Sequence, residues 1–511
     1  MFPSRRRFAP VLLVSLVLNF LFIAPGVSAD VQPHTLFGDN MVLQQRADVP
    51  VWGTADPGEA VTVSIAGQTA QTTANPDGSW MLKLKPLEPG GPHQMTIAGK
   101  TTVTIDNVLV GEVWVASGQS NMNFELGDAA NGPEEVANAN YPSIRFFYVN
   151  DKSLPEPVKT VRGRWRVCTP ADARGFSATA YFFARHLHRQ LDVPIGILQS
   201  SHGASPAEAW TEARALKACI PEAVERYEEV RNDRILERHE RELAAWEEAG
   251  GEAGGRPKPQ KPKLPRAGTW VHMPSGFWNG AIYPLIPYAI RGTIWYQGES
   301  NTDTAEQTAE YHRLLPAMIR SWRQEWGQGD FPFLIVELAP YLRVREEPSD
   351  GRYPRVREAQ RITAGNVPHT GLISTTDIGD ARDPHPKNKQ DVGRRLGLLA
   401  EAMVYGRDVV YSGPVLESVE IEGNRVRLTF KHVHGGLVTN PPDQPVTGFA
   451  VAGEDRRFVW AQAGIDGSDV LVRSDEVTAP VAVRYAWADN PVCNLFNRDG
   501  LPAFPFRTDD W

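Results

Sequence analysis

Residues 111–408 alternate short apolar runs with amphipathic stretches, and this alternation limits the possible folds more than any other feature of the sequence. Apolar runs rich in β-branched residues predict buried strands, whereas apolar positions three and four residues apart predict helices. Strands that alternate with helices build a parallel sheet covered by helices. The predicted strands are 113–116, 195–198, 290–296, 333–336 and 372–374, and the predicted helices are 176–191, 308–326, 356–363 and one from 389 onward. The sequence therefore predicts an α/β core.

The stretches on either side of this core have β patterning. Residues 30–110 contain short alternating runs separated by turn signals such as Asn75-Pro76-Asp77-Gly78, which is typical of an antiparallel sandwich. Alternating runs return in residues 409–511. We therefore expect an N-terminal and a C-terminal β module to flank the core.

A charged segment interrupts the core. Residues 222–249 are rich in Glu and Arg and carry a thin apolar stripe, which predicts a solvated helix. Residues 250–265 are rich in Gly, Pro and Lys, as in flexible connectors. We interpret residues 214–268, approximately, as an insertion that lies over the core.

The start of the chain predicts a secretory signal peptide. Three arginines at 5–7 precede an apolar run at 8–23, and small residues at 27–29 suit a cleavage site. Removal of residues 1–29 would give a secreted or periplasmic protein, and an uncleaved membrane anchor is the alternative. No later stretch of the sequence is long and apolar enough to span a bilayer.

Charge and cysteine content argue against several classes of protein. Removal of residues 1–29 takes away three arginines and no acids, so the net charge changes from −8 to −11. A protein with this net negative charge is poorly suited to bind nucleic acid or anionic membrane surfaces. Its cysteines, Cys168, Cys219 and Cys493, are too few and too scattered for a disulfide framework or a zinc cluster.

A serine follows the end of the first predicted core strand. The strand stops at Ser117-Gly118, a turn signal, and Ser120 is the first reactive side chain after it. A serine just past a strand end can be held exposed at the sheet edge, where a base can reach it, as a nucleophile requires. A serine that caps a helix or stabilises a turn is the alternative interpretation.

Three more stretches follow core strands, at the edge where open α/β sheets bind ligands. Small residues around Gly203 leave backbone N–H groups free to approach a ligand. Gly298 and Asn301 follow the next strand, and an amide there suits oxyanion stabilisation. His385 lies between two prolines that fix its backbone. Each has a plain structural explanation alone, as a turn, a helix cap or a loop histidine, but together they indicate a catalytic site.

The motifs around these residues resemble those of the sialate O-acetylesterase family, which are carbohydrate esterases of the SGNH hydrolase superfamily. The resemblance runs from about residue 31 to residue 508. It is carried by Gly118-Gln119-Ser120-Asn121-Met122, Trp295-Tyr296-Gln297-Gly298-Glu299-Ser300-Asn301 and His385-Pro386-Lys387-Asn388-Lys389-Gln390, with support from Glu208-Ala209-Trp210, Arg357-Glu358-Ala359-Gln360 and the tail at 501–507. It implies a flavodoxin-like core with a parallel sheet, and an esterase that uses neither cofactor nor metal.

The resemblance also implies roles for the four residues at the strand ends. Ser120 would be the nucleophile, and its backbone N–H would form the oxyanion hole together with Gly203 and Asn301. His385 would act first as general base and then as the acid that protonates the leaving sugar hydroxyl.

Three further motif residues, Gln119, Gln297 and Glu299, are expected to contact the substrate. The glycine turn departs from the family pattern, because it reads His202-Gly203-Ala204 where Trp-Gly-Gly is usual. This difference leaves the shape of the acyl pocket open.

The acid that orients His385 has several candidates. Asp383 matches the Asp-x-His-Pro pattern of the family, and positions i and i+2 of an extended segment lie on the same face. The wider superfamily places its acid three residues before the histidine, where this chain has Arg382. Asp380 and a backbone carbonyl are the alternatives, and the carbonyl would leave a Ser–His dyad.

Other activities fit the sequence less well. The motif at Ser120 lacks the second glycine of an α/β-hydrolase nucleophile elbow, and no His and Asp cluster suits a metal-dependent deacetylase. A secreted carbohydrate-binding protein is the non-enzyme alternative, with Trp52, Trp80, Trp460 and Trp487 as possible sugar platforms. The expected substrate is an O-acetylated sugar, such as 9-O-acetyl sialic acid, acetyl xylan or another acetylated glycan.

Overall fold

The computed structural model describes residues 30–149, 152–251, 257–260 and 271–511. The predicted signal peptide, residues 1–29, and most of the predicted connector lie outside the described residues.

The core is a seven-stranded sheet with Thr102–Gly118 at its centre. All its neighbouring strands pair in parallel except the edge pair at one end, which is antiparallel. In spatial order the strands are Trp165–Cys168, Tyr141–Tyr148, Ile195–Ser201, Thr102–Gly118, Gly292–Tyr296, Phe333–Val336 and Thr370–Ile373. The α/β core predicted from the alternating pattern is confirmed, with one antiparallel edge strand added.

Helices cover both faces of this sheet. Ala178–Leu191 and Lys389–Met403 pack with Trp114 and Ala116 in one apolar cluster. On the opposite face, the helices Ala305–Trp326 and Arg352–Asn366 pack with Val113 and Val115. Because successive side chains of a strand point to opposite faces, the unbroken run 113–116 serves both layers.

The N-terminal β module shares a strand with the core. The first half of Thr102–Gly118 pairs with Gly90–Ala98 and Val42–Gln44, and its second half is the centre of the parallel sheet. The boundary predicted at 110 therefore falls inside one continuous strand. The other strands of this module are Gln32–Pro33, Val49–Thr54, Ala60–Ile65, Gln68–Thr73 and Ser79–Leu84.

The C-terminal β module has its own apolar cluster. Its strands are Val415–Glu422, Arg425–Lys431, Leu437–Thr439, Phe449–Ala452, Val459–Trp460, Gln462–Asp466, Asp469–Arg473, Ala482–Tyr485, Leu495–Asn497 and Phe506–Arg507. The insertion in the core contains the helices Ala213–Cys219 and Ala223–Glu248, and the second of these is the charged helix predicted at 222–249.

No helix among the described residues is long and apolar enough to cross a membrane. The tryptophans considered as sugar platforms differ in exposure. Trp80 and Trp487 are buried and Trp52 is partly buried, whereas Trp460 is 45% exposed and its indole N–H donates to the carbonyl of Glu346.

Candidate active site

The turn after the central strand requires a glycine. Gly118 has φ +136°, and a Cβ at this position would lie 2.1 Å from the carbonyl oxygen of Tyr296. The neighbouring Gln119 N–H donates to that same carbonyl at 3.0 Å. The chain then enters the short helix Ser120–Asn123, so the serine stands at a helix N-terminus just beyond the sheet.

Ser120 lies where the direction of strand addition reverses. From the central strand the chain continues on one side with Ile195–Ser201, and it later crosses to the other side with Gly292–Tyr296. The carboxyl ends of strands at such a switch point form the usual ligand crevice of open α/β sheets.

A cavity of about 850 Å³ opens over this edge of the sheet. Its wall includes the serine and histidine motifs, His272 just after the insertion, residues of the loop before helix Arg352–Asn366, and one residue of the C-terminal module. The lining residues are Gln119, Ser120, Gly203, Ala204, His272, Glu299, Ser300, Thr302, Asp303, Tyr341, Leu342, Asp350, Gly351, Arg352, Tyr353, Pro384, His385 and Asp489. This volume is in the range of small-molecule binding sites.

A hydrogen-bonded chain links a serine, a histidine and a carboxylate at the cavity floor. His385 Nε2 lies 2.8 Å from Ser120 Oγ, and His385 Nδ1 lies 2.8 Å from Asp383 Oδ1. The side chains of His385 and Asp383 are 33% and 50% exposed. The ring of Phe124 stacks on His385 with centroids 6.3 Å apart. These distances are those of a nucleophile, a base and an orienting acid.

Among the candidates for the orienting acid, the structure places Asp383 at the histidine. Its Oδ1 also accepts the backbone N–H of His385 at 2.9 Å. This bond, and then the bond to the imidazole, lower the pKa of Asp383 below the usual range. Asp380 instead accepts the backbone N–H of Arg382 at 2.8 Å, and Arg382 itself is exposed.

Gly203 lies directly beside the serine. A Cβ at Gly203 would lie 3.7 Å from the Cβ of Ser120. Neither Ser120 N–H nor Gly203 N–H has an acceptor among the described residues. The next residue, Ala204, has φ +56°, a left-handed conformation that favours glycine.

Asn301 lies behind the cavity wall. It is fully buried, its Nδ2 donates to Glu208 Oε2 at 2.8 Å, and its Oδ1 accepts from Gln297 and from the backbone N–H of Ala207. An amide nitrogen carries two hydrogens, so one N–H of Asn301 stays available after the bond to Glu208. Burial raises the pKa of Glu208.

The structure does not bring Gln297 to the cavity, contrary to its expected contact with substrate. Gln297 is fully buried; its Nε2 donates to Gln119, Ser205 and Asn301, and its Oε1 accepts from Tyr311. Because both ends of its amide are hydrogen-bonded within the protein, Gln297 holds the neighbouring motifs in place.

Gln119 and Glu299 do line the cavity, but both also hold the site together. Gln119 Oε1 accepts from Gln297 Nε2 and from the backbone N–H of Ser300, each at 3.2 Å. Glu299 Oε1 accepts from Asn121 Nδ2, while its Oε2 is buried with no partner among the described residues. Burial raises the pKa of Glu299.

Sequence reasoning missed two residues beneath the cavity floor. Asn121 Nδ2 donates to the carbonyl of Pro384 at 2.9 Å, and Lys389 Nζ donates to Asn121 Oδ1 at 2.6 Å. Lys389 is fully buried, and its ammonium lies 4.8 Å from the centroid of the Phe124 ring. Burial lowers the pKa of Lys389 to about 7. Both residues lie inside the motifs that carry the family resemblance, and that location was the sequence signal that could have identified them.

Within the described part of the chain, no group of three or more His, Cys, Asp or Glu side chains is placed to hold a metal ion. The three cysteines are all free thiols.

Comparisons with known proteins identify relatives among carbohydrate esterases. Residues 281–404 match the family model of carbohydrate esterases described as sialic acid-specific acetylesterases. The sialate O-acetylesterase of Rattus norvegicus is 30% identical over 96% of this chain and 96% of its own length. The human sialate O-acetylesterase is 29% identical over 98% of this chain and 96% of its length.

A solved structure agrees as well. The crystal structure of a carbohydrate acetylesterase from Xanthomonas citri superposes with a TM-score of 0.80 at 37% identity, covering 94% of this chain and all of that one. Full-length similarity at these levels makes the protein a carboxylic ester hydrolase that belongs to the sialate O-acetylesterase family of carbohydrate esterases.

Proposed function

We propose that the protein removes O-acetyl groups from sialic acids, 9-O-acetyl sialic acid first, by a serine mechanism. The observation that carries this proposal is the Ser120–His385–Asp383 chain at the floor of an open cavity. Acetyl xylan and other acetylated glycans are the alternative substrates.

In the proposed first step, Ser120 Oγ attacks the carbonyl carbon of the acetyl ester. His385 Nε2 accepts the serine proton, and Asp383 holds the imidazole in the productive tautomer and stabilises its cation. Negative charge develops on the carbonyl oxygen. The donors assigned to it are the N–H groups of Ser120 and Gly203, which line the cavity, and the remaining N–H of Asn301 from behind its wall.

Collapse of this intermediate expels the sugar alkoxide, which takes the proton from His385 and leaves an acetyl group on Ser120. His385 then removes a proton from a water molecule, which attacks the acetyl carbonyl. Expulsion of Ser120 Oγ, protonated by His385, releases acetic acid and restores the enzyme.

The finer fold assignment is an SGNH hydrolase core of flavodoxin-like topology. Setting aside the outer strands 141–148 and 165–168, the remaining five parallel strands lie in the order second, first, third, fourth, fifth along the chain. This is the strand order of flavodoxin-like sheets. The order and the serine at its switch point support the assignment.

One cation on the cavity wall favours an anionic sugar. Arg352 is the lining residue with a permanent positive charge among those described. Its Nη1 donates to the carbonyls of Thr302 and Asp303, while its Nε and Nη2 have no acceptor among the described residues. These two free donors suit the carboxylate of a sialic acid.

Carboxyl groups on the same wall favour the neutral alternative. Asp303, Asp350 and Asp489 also line the cavity, and each would repel a sugar carboxylate. Substrate charge is therefore the property that an assay should vary.

The test measures acetate released from 9-O-acetyl sialic acid and from acetylated xylo-oligosaccharides. Ser120→Ala should abolish both activities, a serine-directed phosphonate should label Ser120, and EDTA should leave activity intact. Activity that survives in Ser120→Ala, or that EDTA removes, would overturn the mechanism.

Arg352→Ala should raise KM for the sialic acid and leave neutral substrates unchanged. Arg320→Ala is the matched control, because Arg320 is exposed on the helix Ala305–Trp326 and does not line the cavity. An equal loss on both substrates would count against the anionic assignment and favour the neutral one.

The predicted signal peptide at residues 1–29 supports a further proposal, that the enzyme acts in the periplasm or outside the cell. Fractionation of cells that express the full chain would test it, since cytoplasmic recovery of uncleaved protein contradicts export.

A further inference from the structure

A single buried amide joins the three segments that carry the proposed catalytic groups. Asn121 follows Ser120 directly, and its side chain contacts the carbonyl of Pro384, Glu299 and Lys389. These partners come from the histidine loop, from the loop after strand Gly292–Tyr296, and from the start of the helix Lys389–Met403.

The hydrogen bonds of Asn121 can be satisfied in only one orientation of its amide. The Pro384 carbonyl can only accept, so the NH₂ group of the amide must face it, and the amide oxygen then faces Lys389 Nζ, which donates. The NH₂ group then faces the Pro384 carbonyl and Glu299 Oε1, both of which accept. Each polar atom of the amide thus has a partner of the right kind.

The hydrogen bond from Asn121 to the Pro384 carbonyl restricts the position of the proposed base, His385. The accepting carbonyl belongs to the peptide bond before His385, and prolines on both sides restrict the backbone there. A hydrogen bond that holds this carbonyl against the residue next to Ser120 therefore limits how far the imidazole can move from the serine hydroxyl.

Burial of a lysine ammonium costs free energy of desolvation, so the buried position of Lys389 indicates that it has a role. Its side chain is fully buried, and the aromatic rings of Phe124 and Tyr296 lie 4.8 and 5.3 Å from its ammonium. Phe124 also stacks on His385. The lysine thus contacts both the amide that holds the loop and the ring that packs on the base.

We propose that Asn121 is a positioning residue that holds His385 against Ser120 through the Pro384 carbonyl, and that Lys389 fixes the orientation of its amide. This inference rests on the proposed serine mechanism. It assigns no contact with substrate to either residue, and it predicts that both act through the same bond.

Two substitutions that preserve side-chain size test the proposal. Asn121→Asp keeps an oxygen for Lys389 but removes both N–H donors, and Lys389→Met keeps the chain length but removes the ammonium. Because a displacement of about 1 Å can cost roughly 10²-fold in rate, Asn121→Asp should lower kcat by roughly 10- to 100-fold with KM nearly unchanged. Lys389→Met should show a smaller loss of the same kind.

The double variant distinguishes a shared pathway from independent damage. If Lys389 acts only through Asn121, the double variant should be no slower than Asn121→Asp alone. Rates are expressed per serine titrated by a phosphonate, so that a partly folded sample still reports on the sites that are intact. Lys387→Met is the control, since Lys387 is exposed on the same loop.

Three results would overturn the inference: an unchanged kcat in Asn121→Asp, a change confined to KM, or losses that multiply in the double variant. Failure of the underlying mechanism would be recognised separately, because the phosphonate would then fail to label Ser120 in the wild-type enzyme.

Discussion

One side of the serine motif faces the cavity and the other faces the protein interior, and each side contains a carboxyl group. On the cavity side, Ser120, His385 and Asp383 are partly exposed, and hydrogen bonds lower the pKa of Asp383. On the other side, the buried residues Asn121 and Lys389 form a second network with Glu299, which reaches the cavity wall but has a buried Oε2, and burial raises the pKa of Glu299.

The difference shows how the environment assigns roles to identical chemical groups. Asp383 accepts two N–H bonds near water and stays anionic, so it can stabilise an imidazolium. Glu299 retains its proton to higher pH because its surroundings solvate the charge poorly. We therefore expect isosteric amide substitutions to affect the two carboxyl groups very differently.

The largest effect is expected from Asp383→Asn. An amide oxygen can still accept the two N–H bonds that Oδ1 takes, but a neutral amide cannot stabilise the charged imidazole, so kcat should fall at least roughly 10²-fold, with about 10⁴ as the upper scale for such a change. Asp380→Asn is the matched control and should cost much less. Near-wild-type turnover in Asp383→Asn would leave a Ser–His dyad.

Asn301→Ala should lower kcat by roughly 10²–10³ with little change in KM, as for loss of one oxyanion donor. The structure adds a cost in stability, because Glu208 would lose its amide partner while buried. We expect about 1–3 kcal/mol less free energy of unfolding. Steady-state kinetics and urea unfolding measure the two effects, and a pure KM effect would instead place Asn301 in ground-state binding.

Lys389→Met should change how stability depends on pH. Burial lowers the pKa of Lys389 from 10.5 to about 7, and the nearby charges of Glu299 and Asp383 only partly oppose this shift. Between these two values the unfolded chain binds more protons than the folded protein, so this lysine makes the wild type gain stability as pH rises.

The free energy of unfolding of the wild type minus that of Lys389→Met should therefore increase from neutral to alkaline pH. Lys387→Met should follow the wild type. Urea titrations at several pH values measure this. A difference that is constant with pH would mean that Lys389 titrates alike in both states.

The smallest effect is expected from Glu299→Gln. An amide oxygen can replace Oε1 as the acceptor for Asn121, and burial disfavours the charged form of Glu299, so kcat should change less than about 10-fold. A loss as large as that of Asp383→Asn would show that Glu299 reacts as an anion and would break the comparison between the two sides.

Local sequence patterns predicted the core, and together with the family resemblance they singled out the proposed catalytic residues. The β-branched run at 113–116 predicts a buried strand, and Ser120 and His385 lie at strand ends, which are local properties of the chain. Asp383 was a leading candidate because positions i and i+2 of an extended segment share a face. In the structure it indeed lies at His385 Nδ1.

Only the tertiary structure decided how deep each motif residue lies. Gln297 and Glu299 are two positions apart in one motif, yet Gln297 is enclosed by Gln119, Tyr311 and Asn301 while Glu299 reaches the cavity wall. Burial depends on neighbours that come from other strands and helices, and no local pattern encodes them. For the same reason, the hydrogen bonds from Asn121 to Pro384 and from Lys389 to Asn121 could not be predicted, because they join residues more than 260 positions apart.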